Sequence, residues 1–260
     1  MIIPTGFGIN CEAETAEAFR RAGGNVQPLH LNDLVQQPGL LARAQILALA
    51  GGFSFGDHLG AGRVLANRLR ARLAEPLSRF VADGGLVIGI CNGFQTMVRL
   101  GLLPGGLSSN KLLAKPSASL VDNAHGRFYD GWVTLMVDPN SPCVYTRGME
   151  RLEVPVRHGE GRLIVAEQAE QHVVNKHLIP LRYADPETGK ATQRFPQNPN
   201  GSFQAAAGLC DTTGRLLGLM PHPEAFLYRE NHPLWRRSGE TDEGAGLRIF
   251  INAVEVARRG

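Results

Sequence analysis

One cysteine of this 260-residue chain lies in a sequence context that could make its sulfur a nucleophile. Cys91 lies between Gly89 and Gly93, after the apolar run Leu86–Ile90 and before residues with helical apolar spacing. Glycines on both sides permit a sharp strand-to-helix turn from which the sulfur can project, and the amino end of a helix favours the thiolate, the form that attacks carbonyl carbon. Taken alone, the pattern also fits a structural cysteine buried where a strand meets a helix.

A histidine and a carboxylate two residues apart could complete the chemistry. A thiol that attacks an amide needs a base to take and return its proton, and the base needs an orienting partner. His222 and Glu224 lie in a Pro-His-Pro-Glu segment whose prolines limit the backbone, and their spacing can place both side chains on one side of an extended stretch. A His-x-Glu pair also arises by chance, so this pair is informative only together with Cys91.

Acyl transfer creates an oxyanion, which is best stabilised by backbone N–H groups that are fixed in advance. Gly51 and Gly52 follow a predicted strand, and glycine lets the backbone approach a substrate closely. Asn92, directly after Cys91, could supply a second N–H. The two glycines could equally form a plain turn at the end of a strand.

The elements that must position these residues follow from the apolar patterns. In the first half we predict strands at Ile2-Ile3, Asn25–Leu31, Ala44–Ala50 and Leu86–Ile90, and helices at Glu12–Arg21, from Val64 to Phe80 and after Cys91. Pro76 is predicted to start a separate helix within the longer segment. Short apolar strands that alternate with helices are typical of an α/β fold with a mostly parallel sheet.

The second half of the chain has a different pattern, with strand-like runs separated by turn residues. These runs, for which we expect antiparallel pairing, are Arg127–Val137, Leu152–Arg157, Arg162–Val165, Leu178–Tyr183, Phe203–Leu209 and Leu216–Met220. A closing helix is predicted from Leu247 to Ala257, after an exposed polar loop at Leu227–Gly244. We find neither a repeat nor a low-complexity linker, so we predict a single domain over residues 1–260.

Composition narrows the class of protein. The formal charge of +3, from 27 basic and 24 acidic residues, comes without the basic, aromatic-rich run typical of nucleic-acid binding. No stretch has the length of a membrane span, and the first residues lack the features of a signal peptide. The four cysteines are widely scattered, without the spacing of a zinc site or a disulfide framework. We therefore expect a cytoplasmic protein with reduced thiols and no metal.

Five separated motifs carry a resemblance to a known family. The segments G-G-F-S-F-G-D at 51–57, G-I-C-N-G-F-Q at 89–95 and P-H-P-E at 221–224 resemble class I glutamine amidotransferases in content and order. With H-G-E-G at 158–161 and N-P-N-G-S at 198–202, they are more similar to the PurQ family of glutaminase subunits than to its relatives, which usually carry G-G-P and C-x-G-H-Q. The turn residues at 198–201 could also be no more than a turn.

The resemblance implies a fold and a set of site residues. The implied fold is a mostly parallel flavodoxin-like sheet with helices on both faces and antiparallel additions in the second half. The implied catalytic residues are the nucleophile Cys91, the general base and acid His222, and its orienting carboxylate Glu224. The implied glutamine-binding residues are Gly51, Gly52, Asn92, Gln95, His158 and Glu160, with Gly52 and Asn92 forming the oxyanion hole. A purely structural role for the turn at 158–161 is equally compatible with the pattern.

The resemblance also implies a reaction and partners. The chain would hydrolyse L-glutamine through a cysteinyl thioester and pass ammonia to a large synthetase subunit, PurL, together with a small PurS-like subunit. No cofactor is implied for this chain, and ATP and magnesium are expected on the synthetase, since no G-x-x-x-x-G-K-[ST] loop occurs here. The alternatives are an amidotransferase serving another synthetase, a cysteine peptidase or hydrolase on the same sheet, and a regulatory binding module.

Overall fold

The computed structural model describes residues 1–105, 116–236 and 243–259. In chain order its strands are β1 (Ile2–Thr5), β2 (Gln27–His30), β3 (Ile46–Leu49), β4 (Leu86–Ile90), β5 (Ala118–Val121), β6 (Tyr129–Val137), β7 (Arg151–His158), β8 (Arg162–Val165), β9 (Leu181–Ala184), β10 (Gly208–Cys210) and β11 (Leu216–Leu219). Its α-helices are α1 (Glu12–Arg21), α2 (Leu31–Gln36), α3 (Arg63–Ala82), α4 (Asn92–Leu100), α5 (Glu167–Asn175) and α6 (Leu247–Arg259).

The centre of the fold is a six-stranded sheet in the order β10-β11-β4-β3-β1-β2. All neighbouring strands are parallel except β10 and β11, which pair antiparallel. Val87, Ile88 and Ile90 of β4 are fully buried, as expected for a central strand covered on both faces. The prediction of a mostly parallel α/β sheet is confirmed. Because parallel strands end at the same edge, the residues after β1, β3, β4 and β11 lie close together.

Helices cover the sheet, and one of them corrects a prediction. Phe19 of α1 packs edge to face against Phe250 of α6, with ring centroids 4.9 Å apart. The interpretation of Pro76 as the start of a separate helix is wrong, because α3 runs through it from Arg63 to Ala82. Leu73 and Leu77 stay buried on one face of α3 on either side of the proline. Their burial offsets the roughly 3 kcal/mol that an internal proline costs a helix.

The second half adds two antiparallel sheets, as predicted. β6 pairs with β7 over eight residues and with β9 on its other side, and β5 pairs with β8. Some predicted bounds are wrong: β9 begins only at Leu181, and the Phe203–Leu209 run is a 3-10 turn at Phe203–Ala205 followed by β10. Three elements were not predicted, namely α2, α5 and β5.

The predicted loop at Leu227–Gly244 is partly described. It contains a 3-10 turn at Arg229–Asn231, and the Tyr228 hydroxyl donates to Glu17 at 3.1 Å. Residues 237–242 of this loop fall outside the described part. No helix within the described ranges has both the length and the apolar character needed to cross a membrane.

Candidate active site

Cys91 occupies a strained turn at the carboxyl end of β4. Its φ and ψ are 50° and −105°, a region that non-glycine residues rarely adopt and that costs about 1–3 kcal/mol. The flanking glycines are required by packing, since a Cβ on Gly93 would lie 1.9 Å from the Leu49 carbonyl oxygen and one on Gly89 would lie 2.5 Å from the Met97 sulfur. The local structure is therefore the sharp strand-to-helix elbow that the sequence predicts.

His222 and Glu224 form a buried pair just beyond the end of β11. His222 Nδ1 and Glu224 Oε1 are 2.6 Å apart, and the two residues are 2% and 1% exposed. The His222 N–H donates to the Pro155 carbonyl at 2.8 Å, which fixes the backbone against β7. The imidazole Nε2 has no hydrogen-bond partner among the described residues. It is thus available to a group in the neighbouring cavity.

The charge of Glu224 controls the protonation of His222. Burial by itself lowers the pKa of His222, but the Glu224 carboxylate, together with the nearby thiols of Cys11 and Cys91, outweighs burial and raises this pKa well above its usual value. An imidazolium beside Cys91 stabilises a thiolate. The arrangement therefore places a protonated imidazole beside the Cys91 sulfur.

Two adjoining cavities meet at Cys91. One, of about 370 Å³, is lined by Cys11, Cys91 and His222, among others. The second, of about 270 Å³, is lined by Cys91 and by four of the residues predicted to bind glutamine, Gly52, Gln95, His158 and Glu160. The two cavities share Gly52, Phe53, Cys91, Phe128 and Arg157. A larger cavity of about 440 Å³ lies near Pro38–Gln45 and has neither cysteine nor histidine in its lining, so it is not the reactive site.

Two backbone N–H groups beside Cys91 are available to an oxyanion. Asn92 is the first residue of α4, so its N–H has no acceptor within the helix. The Gly51 carbonyl accepts from the N–H groups of Asn10 at 3.2 Å and Cys11 at 3.1 Å. The Gly51 carbonyl and the Gly52 N–H belong to the same peptide group, and a trans peptide directs these two groups oppositely. The Gly52 N–H therefore points away from Asn10 and Cys11. Gly52 has a φ of 143° and lines both cavities.

The side chain of Asn92 ties the loop after β3 to α4. Its oxygen accepts from the Ser54 N–H at 3.2 Å, and its nitrogen donates to both Asp57 carboxylate oxygens at 3.1 Å and to the Gln95 side-chain oxygen at 3.0 Å. Gln95 in turn donates to the Glu160 carbonyl at 2.6 Å. Asn92 and Gln95 thus make structural contacts, and Gln95 also lines the second cavity.

His158 lies in a buried polar network rather than free in the cavity. Its Nδ1 is 3.0 Å from the Asn123 side-chain oxygen, and Nε2 is 3.4 Å from the Asn200 side-chain nitrogen. Burial, together with the charge on His222, lowers the pKa of His158 to about 3. His158 is therefore neutral near pH 7, with its proton on Nδ1 facing the Asn123 oxygen. Asn123 also accepts from the Gly161 N–H at 3.1 Å, which fixes the turn at 158–161.

The sequence interpretation missed several residues at this site. Cys11 lies beside His222, although no sequence pattern assigned it a place in the site. The Asp57 carboxylate accepts a hydrogen bond from the Asn92 side chain, and the Arg157 carbonyl accepts one from the Cys91 thiol at 3.8 Å. The position of Cys11 after β1 was the available signal, because β1 ends at the same edge of the sheet as β4.

Comparison with known proteins identifies the family. The model of the CobB/CobQ-like glutamine amidotransferase domain matches residues 1–256. The chain belongs to this family. The resemblance to glutamine amidotransferases that the motifs carry is thereby confirmed.

Within the amidotransferase family, the chain is similar to proteins named phosphoribosylformylglycinamidine synthase subunit PurQ. The one from Dehalococcoides mccartyi is 45% identical over 252 residues, covering 97% of this chain and 95% of the relative. The one from Methanococcus maripaludis strain S2 is 39% identical over 265 residues, covering 98% and 96%. These similarities confirm the resemblance to PurQ subunits.

Solved structures agree with this assignment. A structure of PurLQS from Thermotoga maritima contains a chain with a TM-score of 0.70 and 27% identity, covering 98% of this chain and 97% of that one. A glutamine amidotransferase from the same organism has a TM-score of 0.56 at 14% identity, with 100% and 97% covered, which shows the shared fold alone.

Proposed function

We propose that the chain is the glutaminase subunit of a phosphoribosylformylglycinamidine synthase. The observation that carries the proposal is the strained Cys91 turn beside a buried His222 whose Nδ1 is bonded to Glu224 at 2.6 Å. Similarity to PurQ subunits over nearly the whole chain supports the choice of synthetase. Four unpaired cysteines suit the reducing cytoplasm, where we place the protein.

The first half of the reaction would form a thioester. The Cys91 thiolate attacks the side-chain amide carbon of glutamine, and the N–H groups of Gly52 and Asn92 stabilise the oxyanion. His222, protonated through its pairing with Glu224, gives its proton to the departing nitrogen, so that ammonia leaves as the carbon–nitrogen bond breaks. Glu224 keeps the imidazole oriented throughout.

The second half would release glutamate. The neutral His222 takes a proton from water, and the hydroxyl attacks the thioester carbonyl carbon. The carbon–sulfur bond then breaks and the Cys91 thiolate reforms, while the proton taken from water stays on His222 and the new carboxyl group of glutamate releases its own proton to solvent. The enzyme ends each cycle in its starting protonation state, with glutamate and ammonia as products.

The ammonia acceptor would lie on another chain. We propose that this subunit assembles with a PurL-type synthetase and a small PurS-like subunit, and that ATP and magnesium bind the synthetase. The similarity to a chain of PurLQS supports an assembly of this kind. The synthetase would convert formylglycinamide ribonucleotide to formylglycinamidine ribonucleotide with this ammonia, within purine biosynthesis.

The decisive experiment reconstitutes the chain with the large subunit from the same organism. We expect glutamine to support formylglycinamidine ribonucleotide synthesis only when this chain is present, while ammonium supports it with the large subunit alone. Synthesis with another synthetase's acceptor, but not with formylglycinamide ribonucleotide, would instead assign the chain to a different amidotransferase. Hydrolysis of peptides without any glutaminase activity would overturn the proposal.

A further inference from the structure

Asn123 lies between two segments that border the second cavity at Cys91, and it is 2% exposed. It belongs to the loop after β5, which contributes residues 126–128 to the lining of this cavity. It also contacts the turn at 158–161, whose first three residues line the same cavity. None of the five sequence motifs contains Asn123, so its place at the site is visible only in the structure.

The polar groups of Asn123 bond to both segments. Its side-chain nitrogen donates to the carbonyls of Arg127 at 2.9 Å and His158 at 2.8 Å, and its side-chain oxygen accepts from the Gly161 N–H at 3.1 Å. Its backbone N–H donates to the Gly159 carbonyl at 2.8 Å. One residue therefore fixes the turn at both ends and connects it to the neighbouring loop.

These partners leave a single orientation for the Asn123 amide. A carbonyl can only accept and the Gly161 N–H can only donate, so the amide nitrogen faces the two carbonyls and the amide oxygen faces Gly161. The same oxygen is 3.0 Å from His158 Nδ1, which therefore carries the ring proton. His158 Nε2 is then an acceptor, and the Asn200 side-chain nitrogen lies 3.4 Å from it.

The N-P-N-G-S segment at 198–202 supports the turn from its other side. Asn200 is fully buried, and its carbonyl accepts from the N–H of Ala124, the residue after Asn123, at 3.0 Å. The Ser202 hydroxyl accepts from the N–H of Leu163, just beyond the turn, at 2.9 Å. The segment is thus more than a turn, because it supports both the loop after β5 and the turn at 158–161.

We propose that Asn123 is a positioning residue for glutamine, because it holds the turn at 158–161 at the distance from Cys91 that this substrate requires. The proposal rests on the proposed glutaminase function. When the side-chain amide carbon of glutamine lies at Cys91, the α-carbon end of the substrate extends into the second cavity. Charged residues of both signs line this cavity and can match the ammonium and the carboxylate of that end, namely Asp57, Asp122, Glu160, Arg127 and Arg157. Asn123 thus acts on the binding of glutamine and leaves the bond-breaking step to Cys91.

The kinetic test compares Asn123→Ala with wild type in the assembled enzyme. We expect KM for glutamine to rise by at least about tenfold while kcat stays within about threefold, because the change loosens one wall of the cavity and leaves the catalytic residues in place. Asn123→Ser keeps a hydroxyl and should raise KM by a smaller factor, which provides the comparison if circular dichroism shows Asn123→Ala to be poorly folded. An unchanged KM in a folded variant would overturn the proposal, as would a loss confined to kcat.

Asn252→Ala is the matched control. Asn252 is 3% exposed, and its side-chain nitrogen donates to the carbonyls of Tyr145 at 2.8 Å and Arg147 at 2.9 Å, two bonds like those of Asn123. It belongs to α6 and lines neither cavity at Cys91. The control should lower the urea midpoint of unfolding without changing KM. An equal rise of KM in Asn252→Ala and Asn123→Ala would attribute the effect to lost stability and overturn the proposal.

Hydrogen exchange of residues 158–161 tests the positioning without turnover. Exchange should accelerate in Asn123→Ala, where the Gly161 N–H loses its acceptor, and should stay as in wild type in Asn252→Ala. Unchanged exchange in Asn123→Ala would overturn the proposal whatever the activity of the variant. Absence of glutaminase activity in the wild-type assembly would count against the proposed function, and exchange would still decide whether Asn123 holds the turn.

Discussion

At the scale of single residues, the three groups assigned to thioester formation should contribute unequally. In the proposed mechanism Cys91 and His222 bond to reacting atoms, whereas Glu224 acts through His222 Nδ1. We expect Cys91→Ala and His222→Ala to abolish glutamine-dependent synthesis in the assembled enzyme, and Glu224→Ala to retain about a hundredfold more activity than either.

Ammonia-dependent synthesis is the matched measurement for these three variants. It should survive in all of them, because the acceptor chemistry lies on the synthetase. A parallel loss of ammonia-dependent synthesis, with folding intact, would show that the division of labour between the subunits is wrong.

His158 gives a prediction about pH and stability. Its pKa is about 3 in the folded protein, against an ordinary value of 6.5, so between these values the unfolded chain binds a proton that the folded chain does not. Acidification from pH 6.5 towards pH 3 therefore favours unfolding, with a slope of about 1.4 kcal/mol per pH unit from this residue. His158→Gln should flatten the dependence of the free energy of unfolding on pH, measured by urea denaturation at a series of pH values. Parallel profiles for the two proteins would contradict the assignment.

At the scale of elements, the contact between Asn92 and the loop after β3 should affect catalysis. Asp57 accepts from the Asn92 side chain with both oxygens and from the Gly62 N–H at 3.1 Å. Asp57→Ala removes these acceptors, so the Gly52 N–H is less fixed and we expect kcat for glutamine hydrolysis to fall by about tenfold or more. Hydrogen exchange of residues 52–57 should accelerate in the same variant.

Ser54→Ala is the matched control for the loop. The Ser54 hydroxyl is buried without a hydrogen-bond partner among the described residues, while the Ser54 N–H keeps its bond to Asn92. The control should leave kcat nearly unchanged and leave stability equal or higher, since it removes an unsatisfied polar group. A loss of kcat in Ser54→Ala as large as that in Asp57→Ala would argue against a role for the Asp57 contacts.

Some elements were predictable from sequence and others were not, for physical reasons. The run Leu86–Ile90 is apolar throughout because both faces of β4 are buried, so its position, the following turn and the central sheet could be predicted. The course of α3 could not be predicted in this way. The tendency of proline to interrupt a helix applies to an isolated helix, whereas Leu73 and Leu77 stabilise α3 through tertiary packing. The contact of Cys11 with His222 also depends on tertiary structure, since neither residue lies near the other in sequence.

At the scale of the whole molecule, the loop after β3 (residues 51–57) is hydrogen-bonded to the loop after β1. The Gly51 carbonyl accepts from the N–H groups of Asn10 and Cys11, and the Phe53 N–H donates to the Gly8 carbonyl at 2.9 Å. Turning the Gly51–Gly52 peptide would break the two bonds to Gly51, at a net cost of about 2 kcal/mol. A partner that contacts either loop could supply this energy. The single-domain prediction for residues 1–260 is consistent with such a connection and stays a prediction.

The last prediction is that the isolated chain is a poor glutaminase and that its synthetase, loaded with nucleotide, raises the rate. Ammonia released without an acceptor becomes ammonium at neutral pH and is no longer nucleophilic, so hydrolysis is useful only when the acceptor is ready. Loss of one oxyanion donor costs roughly 3 kcal/mol, or about a hundredfold in rate, so the orientation of the Gly52 N–H is a sufficient switch.

Steady-state glutaminase rates would be measured for the chain alone, with the synthetase, and with the synthetase and its nucleotides, alongside hydrogen exchange of residues 6–11 and 51–57. We expect the rate to rise at each step, by about a hundredfold in total, and exchange in both loops to change together because Gly51 joins them through Asn10 and Cys11. Equal turnover in all three states would exclude gating. A rate increase without any change in exchange at these loops would place the switch elsewhere in the assembly.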